Sequence, residues 1–223
     1  MFVIIWFISK LTLIPEDDVW VYDKDYYENG VKKGISGYEN YKWIPTRSIP
    51  EAITICEKID FQSIIDFGCA KGFLVHALNL LGKEAIGVDI SEYALQTALP
   101  QVKDKLFLLN KPLSEMGLKA DLLIAKDVLE HIAEENIDNT LSEFFKVCNQ
   151  ALLVIPLGDN DTFRIREYEI DKTHVTRKDE EWWINKIKKS GFKLKYFNYH
   201  FGSVKEKWIP MYKHGNGFFL INK

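Results

Sequence analysis

Cysteine is scarce in this chain: its 223 residues include three, Cys56, Cys69 and Cys148. An odd number of cysteines without the spacing of metal ligands provides neither a disulfide framework nor a zinc site. We therefore predict no bound metal and a protein of the reducing cytoplasm. Cys69 is interpreted as a small filler of the loop in which it lies, not as a catalytic thiol.

Long apolar runs are also few. The one unusual run, MFVIIWFISKLTLIP at residues 1–15, is shorter than the ~20 residues that span a bilayer, and it lacks the basic start and cleavage site of a secretory signal. We expect no stable membrane insertion. The run is expected to pack on the domain or on a second copy of the chain in a homodimer, and contact with a membrane surface is the alternative.

A large excess of one charge is absent as well, because the formal net charge is −3. This balance offers no electrostatic basis for general binding of nucleic acid. Positive charge is concentrated in residues 164–223, where 14 Lys and Arg stand against 7 Asp and Glu. An anionic acceptor such as a sugar or sugar nucleotide is compatible with that excess, although a solvated basic surface explains it too.

From residue 63 onward, short apolar runs alternate with amphipathic segments, as in a doubly wound α/β fold with a mostly parallel sheet and helices on both faces. The predicted strands are 63–67, 85–89, 106–110, 121–126 and 151–156, and the predicted helices are 49–59, 72–81, 91–99, 134–147 and 179–191. Pro50 is expected in the first turn of its helix. The last apolar runs, 192–201 and 216–223, have no helix between them and predict an antiparallel hairpin at the sheet edge.

The most informative stretch is SIIDFGCAKGFLVHAL, where a strand passes through Asp66 into a loop that contains Gly68 and Gly72. Such loops approach ligands closely, and glycines remove the Cβ atoms that would obstruct the approach. The run is not G-x-G-x-x-G, and the Asp66 carboxylate would repel a phosphate. A cationic ligand without phosphate, such as S-adenosylmethionine, suits this loop better.

A second carboxylate, Asp89, ends the next predicted strand, 23 residues after Asp66. A carboxylate at this place can accept hydrogen bonds from both ribose hydroxyls of a nucleoside. For each aspartate the alternative is a cap of the following helix. The loop and the two carboxylates together favour ligand binding. In this loop Ala70 and Lys71 stand where a second glycine is usual, and a negative φ is expected at Ala70.

Three motifs in order, DFGCAKG, GVDIS and ADLLIAKDVLEHI, resemble the class I S-adenosylmethionine-dependent methyltransferases. The resemblance covers about residues 48–223 and implies a Rossmann-like methyltransferase domain with a seven-stranded sheet, preceded in 1–47 by the apolar segment and a tyrosine-rich lid. It implies that Asp66 and the Gly68 to Gly72 loop hold the methionine part, that Asp89 holds the ribose, and that 110–113 lie near the adenine. The expected cofactor-binding residues are Asp66, Gly68, Cys69, Ala70, Gly72, Asp89, Ile90, Asn110, Lys126, Asp127, Tyr38 and Tyr41.

The lid and the fourth strand indicate the acceptor class. Tyr38 and Tyr41, in GYENY, resemble the lid of small-molecule and sugar methyltransferases found with surface-polysaccharide genes, and their rings could cover the sulfonium by cation–π contact or simply pack a loop. AKDV stands where enzymes that methylate amino groups of nucleic-acid bases carry Asn/Asp-Pro-Pro-aromatic. Pro156 precedes Leu157 and not a nucleophilic cysteine. The first choice is therefore a hydroxyl of a saccharide or related metabolite.

Three residues are the candidates for catalysis. His174 is the candidate base for a hydroxyl acceptor, and Asp171, three residues earlier, is near enough to orient it. His131 lies, by family position, close to the methyl donor. The alternatives are that His131 only pins its turn and that His174 caps the next helix. A nicotinamide-dependent oxidoreductase and a catalytically silent S-adenosylmethionine-binding protein are the competing functions.

Overall fold

The computed structural model describes residues 21–223, so the predicted contacts of the apolar run at 1–15 lie outside the described residues. The helices are α1 (Lys24–Glu28), α2 (Gly30–Lys33), α3 (Pro45–Lys58), α4 (Phe73–Leu80), α5 (Glu92–Gln96), α6 (Glu134–Val147) and α7 (Glu180–Lys189). The strands are β1 (Ser63–Phe67), β2 (Glu84–Asp89), β3 (Leu106–Leu108), β4 (Ala120–Lys126), β5 (Cys148–Pro156), β6 (Gly158–Asp159), β7 (Thr162–Phe163), β8 (Lys193–Asn198) and β9 (Asn216–Asn222). Within residues 21–223, none of the helices is long and apolar enough to cross a membrane.

Seven strands form one sheet in the order β3-β2-β1-β4-β5-β9-β8. Strands β1 to β5 pair in parallel, and β9 is antiparallel to both β5 and β8. The predicted fold class and the closing hairpin are thus confirmed. Strand β2 lies on one side of β1 and β4 lies on the other, so the strand order reverses at β1. In such sheets, ligands bind in the crevice at this point, which the carboxyl ends of β1 and β4 border.

Helices cover both faces of the sheet, which explains why β4 and β5 are apolar without alternation. On one face α3 and α4 bury Ile55, Val75 and Leu78. On the other face α6 and α7 bury Phe144 and Trp183, each fully inaccessible to solvent. Each such side chain contributes about 1.5–3 kcal/mol by leaving water. These two layers hold the strand ends, and therefore the loops that follow them, in fixed positions.

The bounds of some elements differ from the prediction for local reasons. Helix α3 begins at Pro45, before the predicted start at 49, because a proline suits the first helical turn, where no N–H donor is needed. Pro50 then lies inside the helix and cannot donate to the carbonyl of Thr46. Helix α5 ends at Gln96, short of 99, where the Thr97 hydroxyl donates to the carbonyl of Tyr93.

The segment before α3 contains two short helices, α1 and α2, that the sequence did not predict. Tyr26 is buried there, and its hydroxyl donates to the Asp171 carboxylate at 2.7 Å. Lys71, in the glycine loop, donates to Glu28 at 2.5 Å and to the Tyr41 carbonyl at 3.0 Å. These contacts fasten the tyrosine-rich segment over the carboxyl edge of the sheet. Its division from the rest of the chain at residue 47 stays a prediction.

Candidate active site

The loop between β1 and α4 turns through three residues in the left-handed region: Gly68 (φ 75°), Ala70 (φ 48°) and Gly72 (φ 71°). The expectation of a negative φ at Ala70 is therefore wrong. In this conformation the Ala70 amide donates to Oδ2 of Asp89 at 2.7 Å. That charge-assisted hydrogen bond offsets part of the cost of a positive φ at a residue with a Cβ.

Asp89, at the end of β2, is buried and connects two segments of the site. Its second oxygen, Oδ1, accepts from the amide of Ser91 at 2.8 Å. The cap of α5 is Ser91 itself, whose hydroxyl accepts from the Ala94 amide. Burial raises the pKa of Asp89 to about 6, although the amides of Ser91, Ala70 and Ile90 favour its charged form.

A first cavity of about 90 Å³ opens beside Asp89. Its walls come from the ends of β1, β2 and β4 and from the tyrosine-rich segment: Tyr22, Tyr26, Tyr27, Tyr38, Phe67, Gly68, Ala70, Asp89, Ile90, Leu109, Asp127, Val128, His131 and Ile132. Seven of the residues predicted from the sequence are among them: Gly68, Ala70, Asp89, Ile90, Asp127, Tyr38 and His131. The cavity is mostly apolar, with one buried carboxylate from Asp89.

A second, more polar cavity of about 420 Å³ lies on the other side of the loop. The predicted residues Asp66, Cys69, Lys126 and Tyr41 line it, and so does Arg47, which was not predicted. Burial raises the pKa of Asp66 to about 7, against the favourable charge of Lys126. Lys126 itself donates to Glu51 at 2.6 Å. Asp66 and Asp89 therefore line neighbouring cavities rather than a single one.

The two cavities meet at four shared residues: Tyr38, Gly68, Ala70 and Asp127. A Cβ added at Gly68 would lie 2.4 Å from Cγ2 of Val128, so the absent side chain lets the loop pack closely against Val128 at the junction of the cavities. An elongated ligand could therefore occupy both cavities, with different chemical groups against each aspartate.

Two of the predicted cofactor residues, Gly72 and Asn110, line neither cavity. A Cβ at Gly72 would lie 2.8 Å from Cδ1 of Leu106, so this glycine allows the start of α4 to pack against β3. Asn110 is exposed and follows Leu109, whose side chain lines the first cavity. The apolar wall next to Asp89 is thus formed by Ile90 and Leu109.

The predicted lid residues Tyr38 and Tyr41 belong to a larger aromatic group. Their rings are 4.7 Å apart and in contact at an edge, and Tyr27 lies within 5.8 Å of both. Tyr22 and Tyr26, which were not singled out, also line the first cavity. The signal that could have found them is the density of tyrosines between residues 22 and 41.

His131 and His174 come together beside the first cavity, with ring centroids 4.5 Å apart. Nδ1 of His131 lies 2.7 Å from the hydroxyl of Thr173, and Nδ1 of His174 lies 2.7 Å from the carbonyl of Tyr168. Burial lowers the pKa of His174, and burial together with His174 lowers the pKa of His131 to about 4. Both rings are therefore neutral at pH 7.

Asp171 does not orient His174 as predicted, because its Oδ2 is 3.9 Å from Nε2 of that histidine. The carboxylate instead accepts from the hydroxyls of Tyr26 and Thr173, each at 2.7 Å. The carbonyl of Tyr168 orients His174. The helix that follows is capped by Asp179 and not by His174.

Glu130 is a functional candidate that the sequence reading missed, although it stands in the quoted string DVLEH. It is fully buried, and its backbone carbonyl accepts from the amides of Val175 and Thr176, which holds the loop carrying His174 against the turn after β4. Burial raises the pKa of its carboxyl well above the usual range. Its carboxylate oxygen, a nitrogen of His131 and a nitrogen of His174 lie within 4.8 Å of one another, a set that could hold a metal ion.

Asp127, the first residue after β4, has φ 57° and lines both cavities. Its carboxylate accepts from the ammonium of Lys205, which is also buried, and from the hydroxyl of Tyr168 at 3.1 Å. Burial disfavours its charge, but Lys205, Lys126 and the Tyr168 hydroxyl together outweigh burial and lower the pKa of Asp127 below its usual value. The pair joins the end of β4 to the segment between β8 and β9.

Comparisons with known proteins agree with this architecture. Residues 65–151 match the family model of a methyltransferase domain. The chain is 41% identical over 69 residues to the ribosomal protein L11 methyltransferase of Pseudomonas fluorescens, covering 28% of this chain and 24% of that protein. For the enzyme of the same name from Colwellia psychrerythraea the identity is 36% over 89 residues, 36% of this chain and 29% of that protein. The chain thus spans about a quarter of the length of these curated relatives.

Solved structures share the fold over most of the chain. Mitomycin 7-O-methyltransferase matches 87% of this chain and 65% of its own with a TM-score of 0.58 at 13% identity. An S-adenosylmethionine-dependent methyltransferase from Archaeoglobus fulgidus matches 78% and 93% with a TM-score of 0.57 at 17% identity. Human N-acetylserotonin methyltransferase, solved with S-adenosylmethionine, matches 81% and 52% with a TM-score of 0.54 at 18% identity. These likenesses to solved structures support the predicted fold.

Proposed function

We propose that this chain is an S-adenosylmethionine-dependent methyltransferase that acts on a hydroxyl of a small-molecule acceptor. The observation that carries the proposal is the pair of buried carboxylates, Asp66 and Asp89, in two cavities that meet at Gly68. Burial raises the pKa of each carboxyl group, and the backbone amides at Asp89 and the charge of Lys126 near Asp66 offset this only in part, so a further donor or cation would stabilise each charged form. A ligand with an ammonium at one end and ribose hydroxyls further along meets both needs.

In this proposal each of the two cavities binds a different part of S-adenosylmethionine. Asp89 accepts the ribose hydroxyls, and the apolar side chains of Ile90 and Leu109 enclose the adenine, with Asn110 next to them at the surface. In the second cavity Asp66 faces the ammonium, and the Arg47 guanidinium is the partner for the carboxylate of the methionine part. Cys69, Ala70, Lys126 and Asp127 form the remaining wall between these two ends.

When bound, S-adenosylmethionine supplies a methyl group on a positively charged sulfur. Transfer of that group is an in-line displacement, so this chain contributes chiefly by holding the acceptor oxygen in line and by excluding water. The rings of Tyr38 and Tyr41 cover the junction of the cavities, where their faces can stabilise positive charge. His131 and His174 provide the group that handles the proton of a hydroxyl acceptor, and Asp171 positions His131 through Thr173.

The acceptor class follows from charge and accessibility. His131 lies on the wall of the first cavity together with Tyr22 and Tyr26, and these side chains would border the acceptor next to the nucleoside, which favours a compact acceptor over a protein chain. The positive excess of residues 164–223 favours an acceptor that carries negative charge, such as an anionic sugar or a sugar nucleotide. Such a substrate places the enzyme in the cytoplasm, where nucleotide-activated sugars would reach it.

Calorimetric titration with S-adenosylhomocysteine, S-adenosylmethionine and NADPH separates the competing functions. We expect saturable binding of the first two and none of NADPH. The second step measures release of S-adenosylhomocysteine with a panel of sugars, sugar nucleotides, other hydroxyl metabolites and a ribosomal protein acceptor. Binding of NADPH alone would establish an oxidoreductase, and cofactor binding without turnover on any acceptor would leave a silent binding protein. Turnover on the ribosomal protein alone would refute the small-molecule acceptor.

A further inference from the structure

Glu130, next to His131 in the chain, is a buried residue whose carboxyl group lacks hydrogen-bond partners among the described residues. The residue is 0% exposed, and within the described part of the chain neither of its carboxylate oxygens has a hydrogen-bond partner. A buried polar group without a partner costs about 1–3 kcal/mol, and a charged one costs more. The nearest titratable nitrogen is Nε2 of His174, 4.0 Å from Oε1 of Glu130 and beyond hydrogen-bond distance.

A hydrogen bond fixes which nitrogen carries the proton in His174. Since a carbonyl only accepts, Nδ1 of His174 donates to the Tyr168 carbonyl and its Nε2 keeps a free electron pair. Nδ1 of His131 lies 2.7 Å from the hydroxyl of Thr173, which donates its single proton to Asp171, and 3.2 Å from the hydroxyl of Tyr22. In the tautomer that donates from Nδ1 to Thr173, the Nε2 atom of His131 also keeps its electron pair.

We propose that Glu130, His131 and His174 bind one divalent transition-metal ion. Two unprotonated imidazole nitrogens and one carboxylate are a ligand set that zinc, cobalt, iron and manganese accept. Ligand bonds of about 2.0–2.2 Å allow donors about 4 Å apart to share an ion. The three donor atoms lie within 4.8 Å of one another, so a small rotation of the side chains closes the set.

Hydrogen bonds around the histidines support this assignment. Imidazole ligands of metals regularly donate their other N–H to a carbonyl or, directly or through a hydroxyl, to a carboxylate. His174 donates to a carbonyl, and His131 is linked through Thr173 to Asp171. A merely structural glutamic acid would be expected to use its own O–H in a hydrogen bond, and Glu130 makes none within residues 21–223.

The position of the three proposed ligands beside the first cavity suggests a role for the ion in the reaction. His131 belongs both to the cluster and to the wall of the first cavity. An ion held there would lie next to the space proposed for the reacting groups, where it would bind and orient an acceptor oxygen. This last step rests on the proposed methyltransferase function, whereas metal binding itself does not.

Titration of the full chain with cobalt(II) after chelator treatment tests the site, followed by visible absorption and calorimetry. We expect one saturable ion per chain, with zinc(II) and manganese(II) competing for it. Glu130→Gln keeps the shape of the side chain and removes its charge, and it should weaken cobalt binding by more than about tenfold. His200→Ala removes an exposed histidine and should leave the affinity unchanged. His174→Ala, with its fold checked by circular dichroism, should also lose the ion.

Absence of saturable cobalt binding, or equal binding by the protein and its Glu130→Gln variant, overturns the proposal. The same chelated protein is titrated with S-adenosylhomocysteine. Binding of the nucleoside without cobalt binding refutes the metal site and leaves the proposed function standing. Cobalt binding without nucleoside binding supports the metal site and refutes the function.

Discussion

Replacing Asp89 by alanine removes the carboxylate on which the ribose contact of the first cavity depends. Its oxygens already bind the amides of Ala70 and Ser91 at 2.7 and 2.8 Å, so the side chain is held toward the cavity before a ligand arrives. Each hydrogen bond of a ribose hydroxyl to this charged group is worth about 1.5–3 kcal/mol. Loss of two such bonds, about 3 kcal/mol or more, raises the Kd for S-adenosylhomocysteine at least about 100-fold.

Calorimetric titration measures this change, and Asp121→Ala provides a matched control. The Asp121 carboxylate also accepts from two backbone amides, those of Gln62 and Ser63 at 3.0 and 2.9 Å, but it lies at the amino end of the strands, away from both cavities. Its loss should lower stability in the same way and leave the Kd unchanged. The difference in Kd between the two variants separates the loss of the ligand contact from the loss of hydrogen bonds to the backbone.

A folded Asp89→Ala protein whose Kd stays within about threefold of the wild-type value would refute the ribose assignment, because less than 1 kcal/mol would then be lost. An equal loss of affinity in Asp121→Ala would refute it differently. In that case the loss of affinity would come from general destabilisation of the sheet, and the role of Asp89 would be only to support the loop.

The remaining predictions concern charge and backbone conformation. The pKa of Asp66 is about 7 in the folded protein and about 4 in the unfolded chain, so the folded state binds more protons between these pH values. The free energy of unfolding, measured in urea, should therefore fall as pH rises from about 4 to about 7. Asp66→Asn should show a flatter pH profile. Lys205→Met removes the ion-pair partner of Asp127, whose side chain is 21% exposed and keeps the Tyr168 hydroxyl as a donor, and should cost about 1–3 kcal/mol in chemical denaturation, partly recovered by adding Asp127→Asn; no loss would contradict the pairing. Gly68 has φ 75°, and a Cβ there would lie 2.4 Å from a neighbouring side chain, whereas Gly82 has φ 79° and open space around it. Gly82→Ala should therefore cost about 1–2 kcal/mol from conformation alone, and Gly68→Ala should lower the Tm further and also weaken S-adenosylhomocysteine binding. Equal losses of Tm in the two variants would argue against the close approach at Gly68.

The parts of the fold that were predicted are those in which local pattern and tertiary role coincide. Helix α6 runs from Glu134 to Val147, as predicted from its amphipathic period, and β1 has the predicted bounds 63–67. Helix α6 buries one face, with Phe144 in its core layer, whereas β1 is buried on both faces, with Ile65 in one layer and Ile64 in the other. The start of α3 was misplaced because two prolines, Pro45 and Pro50, are compatible with a first helical turn, and sequence alone does not choose between them.

The candidate cofactor site was largely predictable because its residues follow strands directly. The ends of β1, β2 and β4 carry Asp66, Asp89 and Asp127, and parallel strands bring their carboxyl ends to one edge whatever the details of packing. Ala70 could not be predicted in the same way. Its positive φ depends on a hydrogen bond to Asp89, 19 residues away, and local preference alone would exclude that conformation.

The histidine cluster lay beyond sequence reasoning for a related reason. His131 and His174 are brought together by backbone hydrogen bonds from Val175 and Thr176 to the carbonyl of Glu130, and no spacing rule encodes contacts between a turn and a distant loop. Glu130 is fully buried near His174, and among the described residues its carboxyl oxygens have no hydrogen-bond partner. An apolar side chain of similar size would be less costly at this position than an unsatisfied carboxyl group. The geometry is therefore better explained by a bound cation than by packing.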